Sequence, residues 1–458
     1  MTLVSRSIAT LINPTRAHQD AGDPTGGALF APVRSPFETD GDKIVFSEGY
    51  RALADKTQVH DRTHAGGVFR NRLTHSMEVS RVGRSLGVGV GARMLNLFAL
   101  HAPAAGDAFW RVDSTDIGHI VAAACMAHDL GNPPFGHEGE DTISAFFTNH
   151  ELGIEACKRA GKTVARELRQ HEGNAQGFRM ITRTMGWRDG IGLNLTAATL
   201  AAFGKYPHAV RGGVKKYGVH AADLPTMARV AEATGMAPDG KGGWIRHPLA
   251  WLMEAADDIC YLTVDLEDAA QMGLVEFEEV LDLFAPIVGP QAIDTAVGLG
   301  DRTCALTYLR SQVVKALITS CVKIYPEIAA KIENGSLKAG PHGKGLVQSG
   351  DHGAALAKIR AYSKESIYQA DSVQESRKAY SMAFETALAR LTDDMLRWLD
   401  NRRPDERLIR GDTDAPWLAK LPKAVMGVRI PSDASEAFPW LIDQITLLSD
   451  ADILKLAA

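Results

Sequence analysis

The sequence predicts an all-α protein, and three observations carry that reading. Apolar residues recur at helical spacing through long segments, stretches with strand-like alternation of β-branched residues are few, and 458 residues at 45% hydrophobic content can bury a sizeable core without disulfides. Residues 1–45 read as an N-terminal arm and entry loop: Arg6 and Arg16 lie in a stretch poor in acids, and 14–45 is rich in Pro, Gly and Asp. Residues 46–275 read as a helical core. Its periodic segments are RALADKTQV, RLTHSMEVSRVGRSLGVGVGARMLNLFAL, IGHIVAAACMAHDL, 163–186, 192–203 and HPLAWLMEAADDICYLTVDLEDAAQM. Residues 276–458 read as a C-terminal helical region packed on that core as one unit, with helical patterning at 303–334 and 354–400 and scattered prolines from 401 on. Two Gly-rich breaks, 204–243 and 334–353, read as long loops.

Composition excludes several classes. Charged residues make up 23%, and no apolar stretch approaches the ~18 residues of a membrane span, which argues against disordered and membrane-spanning proteins. Fifty Lys and Arg against 55 Asp and Glu leave a net charge of −5, so a polyanionic substrate needs a local basic pocket. Five cysteines form no CxxC pair, and the odd number argues against a disulfide framework; reducing cytoplasm is the expected compartment.

The strongest chemical signal is His128-Asp129, at the end of a helix and just before the breaker run GNPPFGH. His128 shares a helix face with Ala124 and Val121, so it points inward, and a buried His beside a buried Asp must be paired or metal-bound. His75 follows RNRL on the preceding helix. Asp257, Tyr261 and Asp265 are spaced i, i+4, i+8 along one face of an otherwise apolar helix. Two imidazoles and two carboxylates from separate helices would suit one divalent ion of the Mn, Fe, Co or Zn kind, with Mg also accepted.

The order H…HD…D is that of the histidine-aspartate (HD) domain phosphohydrolases. The flanking words RNRLTHSMEVSRVGRSLG, AHDLGNPPFGHEGE, HEGNAQGFRMITR, LNLTAATLAAFGKYP and RHPLAWLMEAADDICYLTVDLEDA closely resemble the bacterial dGTP triphosphohydrolases, from near Tyr50 to about Gly273. The resemblance implies an HD-domain helical core with additional C-terminal helices and long loops. It places the metal ligands on His75, His128, Asp129 and Asp257. Asp257 is preferred to Asp258 because the family has its sugar-facing Tyr and Asp four and eight residues after the ligand, matching Tyr261 and Asp265. It places the catalytic His and Glu on His137 and Glu140. Substrate contacts are implied for Gln58, Arg72, His171, Asn174, Lys205, Tyr206 and Lys215 or Lys216, with Lys216 taken forward.

The activity so implied is metal-dependent hydrolysis of a deoxynucleoside triphosphate, dGTP foremost, to deoxynucleoside and tripolyphosphate, with one divalent ion (Mn, Mg, Fe or Co) per site. The resemblance also implies a homo-oligomer, a hexamer in that family, and a nucleotide or single-stranded DNA effector; no membrane partner is expected. Two other readings share the motif. One is an HD phosphodiesterase or 5′-nucleotidase acting on a monophosphate ester, which would not need the KYP and KKYG lysines. The other is a nucleotide- or single-strand-DNA-sensing regulator, but a degenerate HD site usually loses a ligand, and all four positions are present here.

Overall fold

The computed structural model describes residues 12–16, 34–57, 70–98, 113–186, 190–333, 345–369, 371–401, 407–409, 411–421 and 429–458. Among these the protein is all-α, and β pairing is limited to four isolated bridges. The first helix, α1 (Pro36–Val45), lies inside the expected entry loop and corrects it. Gly41 and three acids disguise the segment, yet the Ser35 hydroxyl accepts from Glu38 N, Pro36 sits in the first turn, and Phe37, Asp40 and Ile44 are buried along one face. Asp40 anchors it, accepting from Arg16 at 3.0 Å and from Thr196 Oγ1 at 2.6 Å.

Helix α2 (Glu48–Ala52) leads through a short 3₁₀ turn to Lys56, and α3 (Arg72–Phe98) and α4 (Ser114–Ala127) form the central pair. A capping box between Asp113 and Asp116 starts α4. The two helices run antiparallel at close range: a Cβ on Gly87 would lie 2.7 Å from the Ile117 carbonyl oxygen and 2.8 Å from Gly118 Cα. The sequence run GRSLGVGVGA therefore supplies the approach that a bulkier face would block. Because the pair is antiparallel, the start of α3, with His75, meets the end of α4, with His128.

Residues 137–162, which carried no helical assignment from periodicity, form α5 (His137–Asn149) and most of α6 (Glu151–Arg169). Helix α7 (Gly173–Arg179) runs into a π turn, and α8 (Ala197–Phe203) is buried throughout. The first Gly-rich break is a loop only in part, since α9 (Leu224–Thr234) lies within it. Helix α10 (Pro248–Gln271) then crosses the α3–α4 pair. Helices α11 (Phe277–Val288), α12 (Pro290–Gly298), α13 (Arg302–Glu333), α14 (Leu346–Ser349) and α15 (Gly353–Ser363) follow, then α16 (Asp371–Asn401), α17 (Ala434–Thr446) and α18 (Asp450–Ala457).

Two apolar clusters hold these elements. The larger joins α1–α4 and α8–α15, so it spans residue 275 without a break. The smaller joins α5 and α6 to α16–α18, with Phe146, Phe147, Phe384 and Phe438 among its buried rings. The turn between α4 and α5, which carries the HD pair, lies between the two clusters. No helix among the described residues is long and apolar enough to cross a membrane.

Candidate metal centre and active site

His75, His128 and Asp257 converge from α3, the end of α4 and α10, with one ligand atom of each within 4.8 Å of the others. Asp257 Oδ1 lies 3.3 Å from His75 Nε2 and 3.6 Å from His128 Nε2, and the two rings meet edge to face at 5.3 Å. Burial opposes the ionised carboxylate of Asp257, but His128 and His75 outweigh it and hold the carboxyl well below its usual range. The tautomer of His128 decides what the cluster can do. Its Nδ1 sits 2.7 Å from the Cys125 carbonyl, which can only accept, so Nδ1 carries the proton. In the neutral ring Nε2 then presents a lone pair toward an anionic oxygen. A divalent cation resolves that repulsion, and this nitrogen–nitrogen–oxygen set fits such an ion.

Asp129 is set slightly apart. Its Oδ1 is 3.5 Å from His128 Nε2, while Asn132 Nδ2 donates to Oδ1 and Arg72 to Oδ2 at 3.0 Å. The carboxylate is thus oriented beside the cluster by a guanidinium and an amide. Burial raises Asp129, but His128, Arg72 and His75 outweigh that and leave it below its usual range. Asp258 turns away from the cluster, accepting from Gln348 Nε2 at 2.8 Å and Arg360 at 3.3 Å.

Arg72 is buried, and its guanidinium passes under Gly136, where a Cβ would overlap it. Gly136 (φ +57°) and Phe135 (φ +61°) make the sharp turn that starts α5 at His137. His137 keeps solvent access, yet its surroundings lower its pKa, through burial first and then Arg72 and Lys216. Glu140 is buried and accepts from Gly173 N at 2.8 Å. Burial and the nearby Glu172 push its carboxyl up to about 7.

The cationic residues divide. Lys216 pairs with Glu172 at 2.9 Å and lies 3.8 Å from Glu140, whereas Lys215 is exposed. Lys205 pairs with Glu254 at 3.2 Å. Tyr206 lies under the Arg246 guanidinium, 5.4 Å from the ring centre. Asn174 donates to Glu172 at 2.6 Å. His171 is buried on the wall of a cavity of about 1510 Å³ between α6, α7 and α17, within reach of the Lys216 charge. Gln58 lies outside the described residues.

The ring of Tyr261 on α10 stacks at 5.6 Å on that of Tyr368, in the π turn that follows α15, and the Tyr368 hydroxyl donates to Asp265 Oδ2 at 2.5 Å. Tyr368, Glu172, Glu254 and Arg246 join this neighbourhood without having been singled out from sequence. Glu254 was within reach of the same argument, standing three residues before Asp257 on a recurring helix face. Tyr368 was not, because 103 residues separate it from Asp265.

No family model matches the chain. Known proteins do. A deoxyguanosinetriphosphate triphosphohydrolase-like protein of Pseudomonas aeruginosa is 38% identical over 348 residues, covering 73% of this chain and 74% of the relative. One of the same name from Synechocystis sp. is 35% identical over 396 residues, 82% of this chain and 84% of its own. The deoxyguanosinetriphosphate triphosphohydrolase of Enterobacter sp. is 31% identical over 301 residues, 58% of this chain and 56% of its own. With an HD cluster assembled from three helices, and relatives above 30% identity over most of its length, the chain belongs to the deoxyguanosinetriphosphate triphosphohydrolase family.

Proposed function

We infer that the protein is a metal-dependent deoxynucleoside triphosphate triphosphohydrolase that cleaves a dNTP, dGTP foremost, to deoxynucleoside and tripolyphosphate. The observation that carries this reading is the convergence of His75, His128 and Asp257 beside the buried Arg72 guanidinium, with Lys216 and the α5 start adjoining. A divalent ion (Mn, Mg, Fe or Co) held by these three residues, with Asp129 beside them, would supply Lewis-acid polarisation at a phosphoryl oxygen.

The chain's own residues account for the rest. Arg72 offsets charge on the phosphates at close range, and Lys205 and Lys216, each paired with a carboxylate, add to that field. His137, held below its ordinary value of 6.5, is unprotonated at neutral pH and accepts the proton of the attacking water. The P–O5′ bond breaks, its electron pair goes to O5′, and the proton passes to that oxygen as the deoxynucleoside leaves. Glu140 stands three residues along α5 from His137, about one helical turn away, and we infer that it supports the imidazole.

Sugar recognition follows from the same helix. Tyr261 and Asp265 stand about 6 and 12 Å along the axis from Asp257 at ~1.5 Å per residue, the reach from an α-phosphate to its own ribose. A Tyr261 ring stacked on Tyr368 leaves little room at C2′, so a 2′-hydroxyl would lose its partners on entry, at roughly 1–3 kcal/mol. The test is incubation with each dNTP and NTP plus Mn or Mg, with product identification. Tripolyphosphate, and a kcat/KM for dGTP about 10- to 100-fold above that for GTP, are expected. Orthophosphate would favour a phosphodiesterase or nucleotidase, and equal use of dGTP and GTP would overturn the sugar site.

A further inference from the structure

The turn that delivers His137 is held from the far end of the chain. Phe135 takes a positive φ of 61°, a conformation that costs a non-glycine residue roughly 1–3 kcal/mol and persists only where surroundings impose it. Its N–H donates to Asp450 Oδ1 at 2.9 Å, across 315 residues. The other oxygen of Asp450 accepts from Thr57 N at 2.8 Å. Asp450 is the first residue of α18, fixed there by the Ser449–Asp452 capping box. Beside it, the buried Lys56 ammonium donates to the Asn132 carbonyl at 2.8 Å and to the Thr446 carbonyl at 2.5 Å. The Lys56 carbonyl in turn accepts from Arg72 N at 3.2 Å. The Phe135 ring stacks on Tyr380 of α16 at 4.5 Å.

We propose that Asp450 is a positioning residue for the reaction: its carboxylate clamps Phe135 and Thr57, fixing the turn that leads into His137 beside Arg72 and Asp129. The Lys56 bridge between Asn132 and Thr446 holds the same turn from its other side. The inference rests on His137 taking part in turnover. A carboxylate suits this position because each of its two oxygens takes one backbone N–H, so two separate segments are held in line with a single side chain. The physical cost of losing it is geometric, since a misplacement of ~1 Å at a reacting group costs on the order of 100-fold in rate.

The experiment compares Asp450→Ala, Asp450→Asn, His137→Ala and the double variant His137→Ala/Asp450→Ala in the full chain, with Leu456→Ala, buried at the far end of α18, as a control for loosening that helix away from the turn. Each is measured for bound Mn, thermal midpoint, kcat and KM with dGTP. Asp450→Ala is expected to lower kcat by roughly 10- to 100-fold, with KM within about threefold and bound Mn unchanged. Asp450→Asn, which keeps one acceptor oxygen, should lose less. The double variant should be no slower than His137→Ala alone, because the clamp acts through that imidazole. Leu456→Ala should lower the thermal midpoint and keep wild-type kcat. Full kcat in Asp450→Ala, or loss that adds independently to that of His137→Ala, would overturn the clamp. So would a fall in kcat that only tracks loss of metal and of thermal midpoint, with Leu456→Ala behaving alike. Full activity in His137→Ala would instead remove the catalytic reading on which the clamp rests.

Discussion

At the scale of single residues, the site turns on which atoms face the cluster. Adjacent acids on α10 have opposite fates: Asp257 Oδ1 lies within 3.6 Å of both imidazoles, while Asp258 is consumed by Gln348 and Arg360. Asp257→Asn should therefore weaken metal binding by on the order of 100-fold or more, since even the outer partners of a ligand are worth 10- to 100-fold. Asp258→Asn should leave bound metal unchanged and loosen only the contact to α14 and α15. Metal content after gel filtration distinguishes the two, and loss of metal in Asp258→Asn alone would reverse the assignment. The register was legible in the sequence, because Tyr261 and Asp265 repeat at four-residue intervals from Asp257 and not from Asp258. The divergence of the two side chains was not, because it depends on Gln348, 90 residues downstream.

At the scale of elements, the His75–His128–Asp257 cluster exists because α3 and α4 pack at backbone contact. Gly87 is where that contact is closest, and its obstacles are backbone atoms that cannot swing aside. Gly87→Val should force the pair apart, destabilising the fold by about 1–3 kcal/mol through overpacking and weakening metal binding with it. Gly298→Ala on α12 is the control: nothing lies within 4 Å of its Cβ position, so the change should be neutral or stabilising by up to ~1 kcal/mol. Urea unfolding midpoints of the two variants test this, and an undiminished midpoint in Gly87→Val would refute the close-packing account. Elsewhere, helix α1 was not legible from periodicity because Gly41, Asp40 and Asp42 have poor intrinsic helix propensity. Burial of Phe37 and Ile44 and the anchoring of Asp40 by Thr196 outweigh that deficit.

At the scale of the whole molecule, folding carries ionisable groups into places where their charge is costly, and stability becomes pH-dependent. Glu140 has an ordinary value of 4.5 and is pushed up to about 7 by burial and by Glu172. Between those values the folded chain holds a proton that the unfolded chain has released. The resulting contribution to stability is fully present below about 4.5 and is lost as pH rises through about 7. The thermal midpoint of wild type minus that of Glu140→Gln should accordingly fall as pH is raised across this window. A difference that stays flat, or rises, would contradict the environment assigned to Glu140. Asp265, pushed up to about 7 chiefly by burial, and Asp268, to about 6 for the same first reason, act in the same direction but are common to both proteins.

The sequence by itself determined the all-α class, the three helices that bring His75, His128 and Asp257 to one place, and the family to which the chain belongs. These are local or ordered features: a 3.6-residue period, a His-Asp pair at a helix end, acids recurring along one face, and motif words in a fixed order. Tertiary structure decided what depends on contacts between distant segments. Only packing showed that Lys216 rather than Lys215 faces carboxylates, and that His171 lines a cavity between α6, α7 and α17. Only packing brought Tyr368 onto Tyr261, and Asp450 onto the turn before His137. The physical reason is that a side chain's partner is set by the path of the whole backbone. Periodicity reports which face of a helix is buried but carries no information on what it is buried against.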